Sequence, residues 1–305
     1  METEHRIRLG DGRVLACLEL GAPAGRPVVY CHGCPGSRIE ARLAASAAAQ
    51  LGLRLLAPDR PGFGESSFHP GRTLGAWADD LQELADRLGL ERFAILGVSG
   101  GGPYALASAA RLPGRLDAVA LAAPLGPVEG PRALSDMLAA SRAALALAAR
   151  IPPLARFAAR LAMWWIRRCP ERVPSLMGHG APAADRAALA DARYGAMLAA
   201  TLREALRQGG RGAAWELTLL ARPWDFGLAD VRVPVRIWQG LADPVVPPAM
   251  ARRLADRLPH GEVRWFPGEG HHSLILGHFG AILADLRRAG GVPGEPLGTE
   301  MPFRS

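Results

Sequence analysis

The chain has 305 residues, long for one domain and too few for two full-sized ones, so a main domain with a sizeable insertion fits best. It is 49% hydrophobic with a mean hydropathy of +0.08, which excludes a disordered chain and describes a globular protein with a full core. The net charge of +7 comes from arginines scattered along the chain, with no basic run interleaved with aromatics, so no nucleic-acid partner is expected.

Cysteines stand at Cys17, Cys31, Cys34 and Cys169. The Cys31–Cys34 pair lacks a second ligand pair at suitable spacing, so neither metal binding nor redox chemistry is expected. Met1–Arg6 is polar and lacks the apolar core of a signal peptide. No apolar run reaches the ~18 residues of a membrane span, so the expectation is a cytoplasmic protein without stable membrane insertion.

Residues 5–20 alternate around Gly10-Asp11-Gly12, a hairpin signal. A β-rich run at 27–31 ends in His32-Gly33-Cys34-Pro35-Gly36, an alanine-rich helical stretch covers 38–51, and a strand follows at 53–57. Pro58–Ser66 is too rich in proline and glycine for regular structure, and its Asp59-Arg60 is read as a loop anchor. A helix is expected over 74–88 with Thr73 as its cap. The apolar run 92–98 ends in glycines around one serine, and a helix runs on to 111. Strands at 117–123, 235–239 and 262–266 and helices at 248–258 and 273–289 complete an alternation that predicts a mostly parallel sheet covered on both faces.

Residues 125–225 break this rhythm with helical stretches separated by Pro152-Pro153, Pro170, Pro174 and Pro182. Within them Met163–Ile166, followed by Arg167-Arg168, is amphipathic and is expected to pack a lid onto the core, with membrane contact as the alternative. The predicted organisation is a core over 1–124 and 226–290, a helical cap insertion over 125–225, and a loosely held tail over 291–305.

Gly97-Val98-Ser99-Gly100-Gly101 fits G-x-S-x-G, a sharp strand-to-helix turn that presents a serine at the N-terminus of a helix. Ligands of open α/β sheets bind beyond the carboxyl ends of the strands. The residues that follow separate strands are His32-Gly33-Cys34, Ser99, Asp243 and His271, which places a serine, an acid and a histidine at one sheet edge. Asp225 and Asp230 precede their strand and fall at the wrong end. His272 and His278 compete with His271, and the run Pro267-Gly268-Glu269-Gly270-His271 favours the first.

These motifs, in the order Ser…Asp…His, resemble the α/β-hydrolase superfamily over nearly all of the chain except the insertion and tail. The resemblance implies the α/β-hydrolase fold, with Ser99 as nucleophile, Asp243 as acid and His271 as base. It places the backbone N–H groups of Cys34 and Gly100 in the oxyanion hole, with His32 and Gly33 supporting that loop. Trp164, Trp165, Trp215 and Trp224, in or near the insertion, are expected either to line an apolar pocket or to pack in the core. The implied activity is that of a cofactor-free serine hydrolase acting on a small, mostly apolar ester, thioester or amide. Haloalkane dehalogenases and epoxide hydrolases use an aspartate where this chain has Ser99. Proline iminopeptidases usually carry a tryptophan after the elbow, whereas this chain continues Gly101-Gly102-Pro103. Carbon–carbon bond hydrolysis, cofactor-free dioxygenation and non-catalytic ligand binding are the alternatives.

Overall fold

A computed structural model describes residues 2–129 and 133–289. Alternating residues at the start of the chain form the hairpin strands β1 (Glu2–Arg8) and β2 (Val14–Gly21). Then come β3 (Arg26–Cys31), a 3₁₀ segment Arg38–Ala44 leading into α1 (Ala45–Gln50), β4 (Leu53–Pro58), α2 (Trp77–Arg87) and β5 (Phe93–Val98). A single 3₁₀ turn at Ser99–Gly101 leads into α3 (Gly102–Arg111) and β6 (Leu116–Ala122). The next described elements are all helical: α4 (Ala139–Arg150), α5 (Pro152–Arg168), α6 (Val173–Gly178), α7 (Ala183–Ala190), α8 (Ala192–Ala205) and α9 (Arg211–Leu220). The chain closes with β7 (Val235–Gly240), α10 (Pro248–Arg257), β8 (Gly261–Phe266) and α11 (His271–Ala289).

The eight strands form one sheet in the order β1-β2-β4-β3-β5-β6-β7-β8, parallel from β4 to β8, with β1 and β2 antiparallel at one edge. β5 is buried throughout because both faces are covered. Phe93 and Ile95 join the hydrophobic cluster on one side, Ala94, Leu96 and Val98 that on the other. Each fully buried large side chain of this kind is worth roughly 1.5–3 kcal/mol relative to exposure. That burial fixes the register, because a one-residue slip would exchange the two faces.

Three helix starts differ from expectation, each for a local reason. The 38–51 helix opens as 3₁₀, with the Arg38 N–H held by Asp59 Oδ1 at 2.7 Å. α2 begins at Trp77: Thr73 Oγ1 accepts the Ala76 N–H as a cap would, but the turn it opens closes through the tighter bonds of Trp77 N–H to the Leu74 carbonyl and Ala78 N–H to the Gly75 carbonyl before the α-helix begins. α11 begins at His271, two residues early, because Asp185 accepts the N–H groups of its first three residues. The tail expected over 291–305 lies outside the described residues. Among the described residues no helix is long and apolar enough to cross a membrane.

Candidate active site

The sheet brings three loops together at the carboxyl ends of β5, β7 and β8. Ser99 follows β5 with φ +51°, the left-handed region that costs a non-glycine residue about 1–3 kcal/mol and is held only by its surroundings. Its carbonyl accepts the Leu125 N–H at 3.1 Å, tying the turn to the end of β6. The glycine at 101 is required sterically, since a Cβ there would lie 2.1 Å from the Cys31 carbonyl oxygen.

His271 Nε2 lies 3.1 Å from Ser99 Oγ, and His271 Nδ1 lies 2.8 Å from Asp243 Oδ2. Since the carboxylate can only accept, the proton sits on Nδ1 and Nε2 faces the serine as an acceptor. Asp243 is itself fixed by the Val245 and Val246 N–H groups, both 2.8 Å from Oδ1. Burial works against an imidazolium at His271. The charge and hydrogen bond of Asp243 outweigh it, with smaller help from Asp185 and Glu40, and the pKa sits above the usual value of 6.5. Ser99 is partly exposed, whereas Asp243 and His271 are buried.

The rival histidines have other partners. His272 Nδ1 pairs with the Tyr194 hydroxyl at 2.8 Å, and burial plus the neighbouring His271 lower its pKa to about 4. His278 packs on Phe266 with ring centroids 4.3 Å apart. Asp225 bonds Gly75 and Arg111, away from the serine.

The loop after β3 runs beside the serine. A Cβ on Gly100 would lie 2.8 Å from that of Cys34, so the two residues stand side by side. His32 accepts the Arg60 N–H through Nε2 at 3.3 Å and donates from Nδ1 to the Gly33 carbonyl at 2.8 Å. Burial and the nearby Arg60 hold its pKa well below the usual value, so it stays neutral, as this bonding requires. Burial also pushes the Cys31 thiol up to about 12, and the Cys34 thiol well above its usual range.

Three carboxylates complete the site, and none belongs to a local motif. Glu40 accepts the Gly33 N–H at 3.1 Å and the Tyr30 hydroxyl at 2.7 Å. Glu216 of α9 forms a fully buried pair with Arg60, at 2.6 and 3.0 Å, and also accepts the Tyr104 hydroxyl at 2.9 Å. Arg60 in turn donates to the carbonyls of His32 and Gly33, the latter at 2.9 Å. Asp185 of α7 takes the N–H groups of His271, His272 and Ser273, each at 2.9 Å. None of the three had a sequence cue of its own; the cue lay with Glu216's partner Arg60, in the proline- and glycine-rich loop.

Two of the four tryptophans are not placed as expected. Trp164 and Trp165 point outward, because the inward stripe of α5 runs through Ala155, Ala159, Met163 and Ile166. Met163 and Ile166 pack, with Cys34, against Phe63, Ala205, Leu206 and Ala213. Trp215 stands edge-on to Phe68, and Trp224 stacks on Phe226.

A family model described as alpha/beta hydrolase fold matches residues 26–278. A segment of 117 residues, 37% of this chain, is 36% identical to 21% of the bifunctional epoxide hydrolase 2 of Sus scrofa. A segment of 103 residues, 32% of this chain, is 34% identical to 30% of an epoxide hydrolase of Caballeronia sordidicola. The chain thus spans less than a third of the length of either relative. The structure of an esterase from Exiguobacterium antarcticum superposes with a TM-score of 0.69 at 20% identity, covering 94% of this chain and all of that one, a likeness of fold alone. With this family model matching most of its length, the chain belongs to the alpha/beta hydrolase fold family.

Proposed function

We propose that this protein is a serine hydrolase that cleaves a small, mostly apolar carboxylic ester, thioester or amide through an acyl-enzyme on Ser99. The observation that carries this reading is the continuous line from Ser99 through His271 to Asp243, at 3.1 and 2.8 Å, with the serine reachable from solvent. A serine hydroxyl becomes a competent nucleophile when a neutral imidazole takes its proton as it attacks. Asp243 holds His271 in the required tautomer and stabilises the imidazolium that forms. That imidazolium protonates the departing alcohol, thiol or amine, and then, neutral again, draws a proton from the water that cleaves the acyl-enzyme.

The tetrahedral oxygen is assigned to the N–H groups of Cys34 and Gly100. Two observations support this: their adjacency, and the commitment of the Gly33 N–H to Glu40. Removing one such donor typically costs about 10²–10³ in turnover. The high thiol pKa at Cys34 agrees with a backbone rather than a side-chain role.

Residues 125–225 are assigned as a cap on a core formed by 1–124 and 226–290, supported by the contacts of Met163, Ile166 and Glu216 with the core. The acyl pocket is assigned to the Cys34–Phe63–Met163–Ile166 cluster rather than to the tryptophans. The serine at the elbow favours acyl transfer over the aspartate chemistry of epoxide hydrolases. The test is hydrolysis of p-nitrophenyl esters of graded chain length beside an aryl epoxide. Ester cleavage that falls by about 10³ or more in Ser99→Ala supports the reading. Epoxide opening without ester cleavage contradicts it.

A further inference from the structure

Among the described residues, every large apolar side chain that stands exposed, Leu241 excepted, lies between residues 138 and 177. The densest group is on α5. Leu154, Phe157, Leu161, Trp164 and Trp165 fall within an arc of about 100° at 3.6 residues per turn. Phe157, Leu161 and Trp164 are 61%, 57% and 55% exposed. This arc is not an unfinished core face, because the opposite stripe of the same helix already packs against the cluster around Cys34. Soluble monomers rarely leave so large a contiguous apolar surface uncovered.

The charge around the arc identifies what covers it. From residue 137 to 170 the chain has Arg142, Arg150, Arg156, Arg160, Arg167 and Arg168 and no acidic residue. Arg156, Arg160 and Arg167 fall on one flank of the arc, and the Arg168 guanidinium lies 4.0 Å over the Trp164 ring. The helices packed on α5 do not offset this charge. α4 has no acid, Glu216 of α9 is fully buried with Arg60, and Glu204 of α8 is engaged by Arg38 and Arg207. Aromatic and aliphatic side chains on one arc, arginines beside it and no acids are the pattern of a helix lying in the plane of an anionic bilayer. Arginine stems lie along the apolar surface while their heads reach lipid phosphates. Tryptophan suits the same depth, apolar in body with one polar N–H.

We infer that α5 docks the protein reversibly on anionic lipid surfaces, with Leu154, Phe157, Leu161 and Trp164 entering the headgroup–acyl boundary. The helix then meets lipid with one face and the cluster around Cys34 with the other. The inference does not depend on the reaction assigned to Ser99.

The full-length protein is tested by co-sedimentation with vesicles of phosphatidylcholine, and of phosphatidylcholine with one part in three of phosphatidylglycerol. Binding is expected only to the anionic vesicles, and on the order of tenfold weaker at high salt. The exposed pairs Phe157→Ser/Leu161→Ser and Arg160→Gln/Arg167→Gln are each expected to weaken it about tenfold or more, with circular dichroism and thermal midpoint unchanged. Quenching of wild-type tryptophan fluorescence by brominated phosphatidylglycerol is expected and needs no variant. Absence of binding and quenching overturns the inference, as does retention of binding by both folded variants. So does a stable dimer by sedimentation equilibrium that Phe157→Ser/Leu161→Ser converts to monomer, which would make the face a contact between copies.

Discussion

Asp185 and His271 stand 86 positions apart, yet the Asp185 carboxylate holds the His271 backbone N–H at 2.9 Å and those of the next two residues at the same distance. A side chain from the helical segment thereby caps the helix that begins with the candidate base, where unpaired N–H groups and the helix dipole favour negative charge. Replacing such a cap typically costs about 0.5–2 kcal/mol. Asp185→Ala is expected to lower the thermal midpoint by that measure and to lower kcat more than it raises KM. Asp185→Asn, which keeps an acceptor, is expected to recover part of both. Equal kcat in all three proteins would show that the cap does not position His271.

The pH profile follows from the raised pKa of His271. The base is active only when neutral, so ester cleavage should be lost as pH falls through a midpoint above 6.5 and be full above it. In Asp243→Asn the partner charge is gone, so the midpoint should move down, with turnover reduced on the order of 10⁴. An acid limb of kcat/KM that stays in place in this variant contradicts the pairing.

Arg60 and Glu216 tie α9 to the loop after β3 through the carbonyls of His32 and Gly33. Both are fully buried, so removing Glu216 leaves the Arg60 charge without a carboxylate, a loss of about 3–5 kcal/mol, while removing Arg60 leaves Glu216 only the longer 3.4 Å contact to Arg72 and the Tyr104 hydroxyl. Glu216→Ala and Arg60→Ala should each destabilise strongly in denaturant titrations. The double variant should lose clearly less than the sum, and strict additivity would indicate that the pair does not act as a unit.

Glu40 binds the Gly33 N–H and adds to the field that raises the His271 pKa. Glu40→Ala leaves the Tyr30 hydroxyl and the Gly33 N–H without this acceptor, a cost of about 1–3 kcal/mol if neither is repaired. Glu40→Gln keeps an acceptor but not the charge, so it should shift the pH midpoint down with little loss of stability. A midpoint unmoved in Glu40→Gln contradicts an electrostatic contribution.

What the sequence made legible is what short-range patterns encode. Ser99 directly follows a strand, Asp243 and His271 come a short loop after theirs, and the glycines around Ser99 mark a turn where a Cβ would collide. Glu40, Asp185 and Glu216 carry no such mark. Asp185 is an ordinary acid in the first turn of a helix, and Glu216 meets Arg60 across 156 positions. Their roles arise only when the chain folds back on itself. The orientation of Trp164 and Trp165 was lost for another reason. At 100° per residue, one step along α5 turns a side chain from the inward stripe of Met163 to the outward arc.

The central claim, that Ser99 is a nucleophile activated by His271, is tested most directly by a fluorophosphonate probe followed by peptide mass spectrometry. The account predicts one phosphonyl group per chain, located on Ser99, with labelling abolished in Ser99→Ala and strongly slowed in His271→Ala. A folded wild-type protein that takes up no label, or takes it up on a residue other than Ser99, would contradict it.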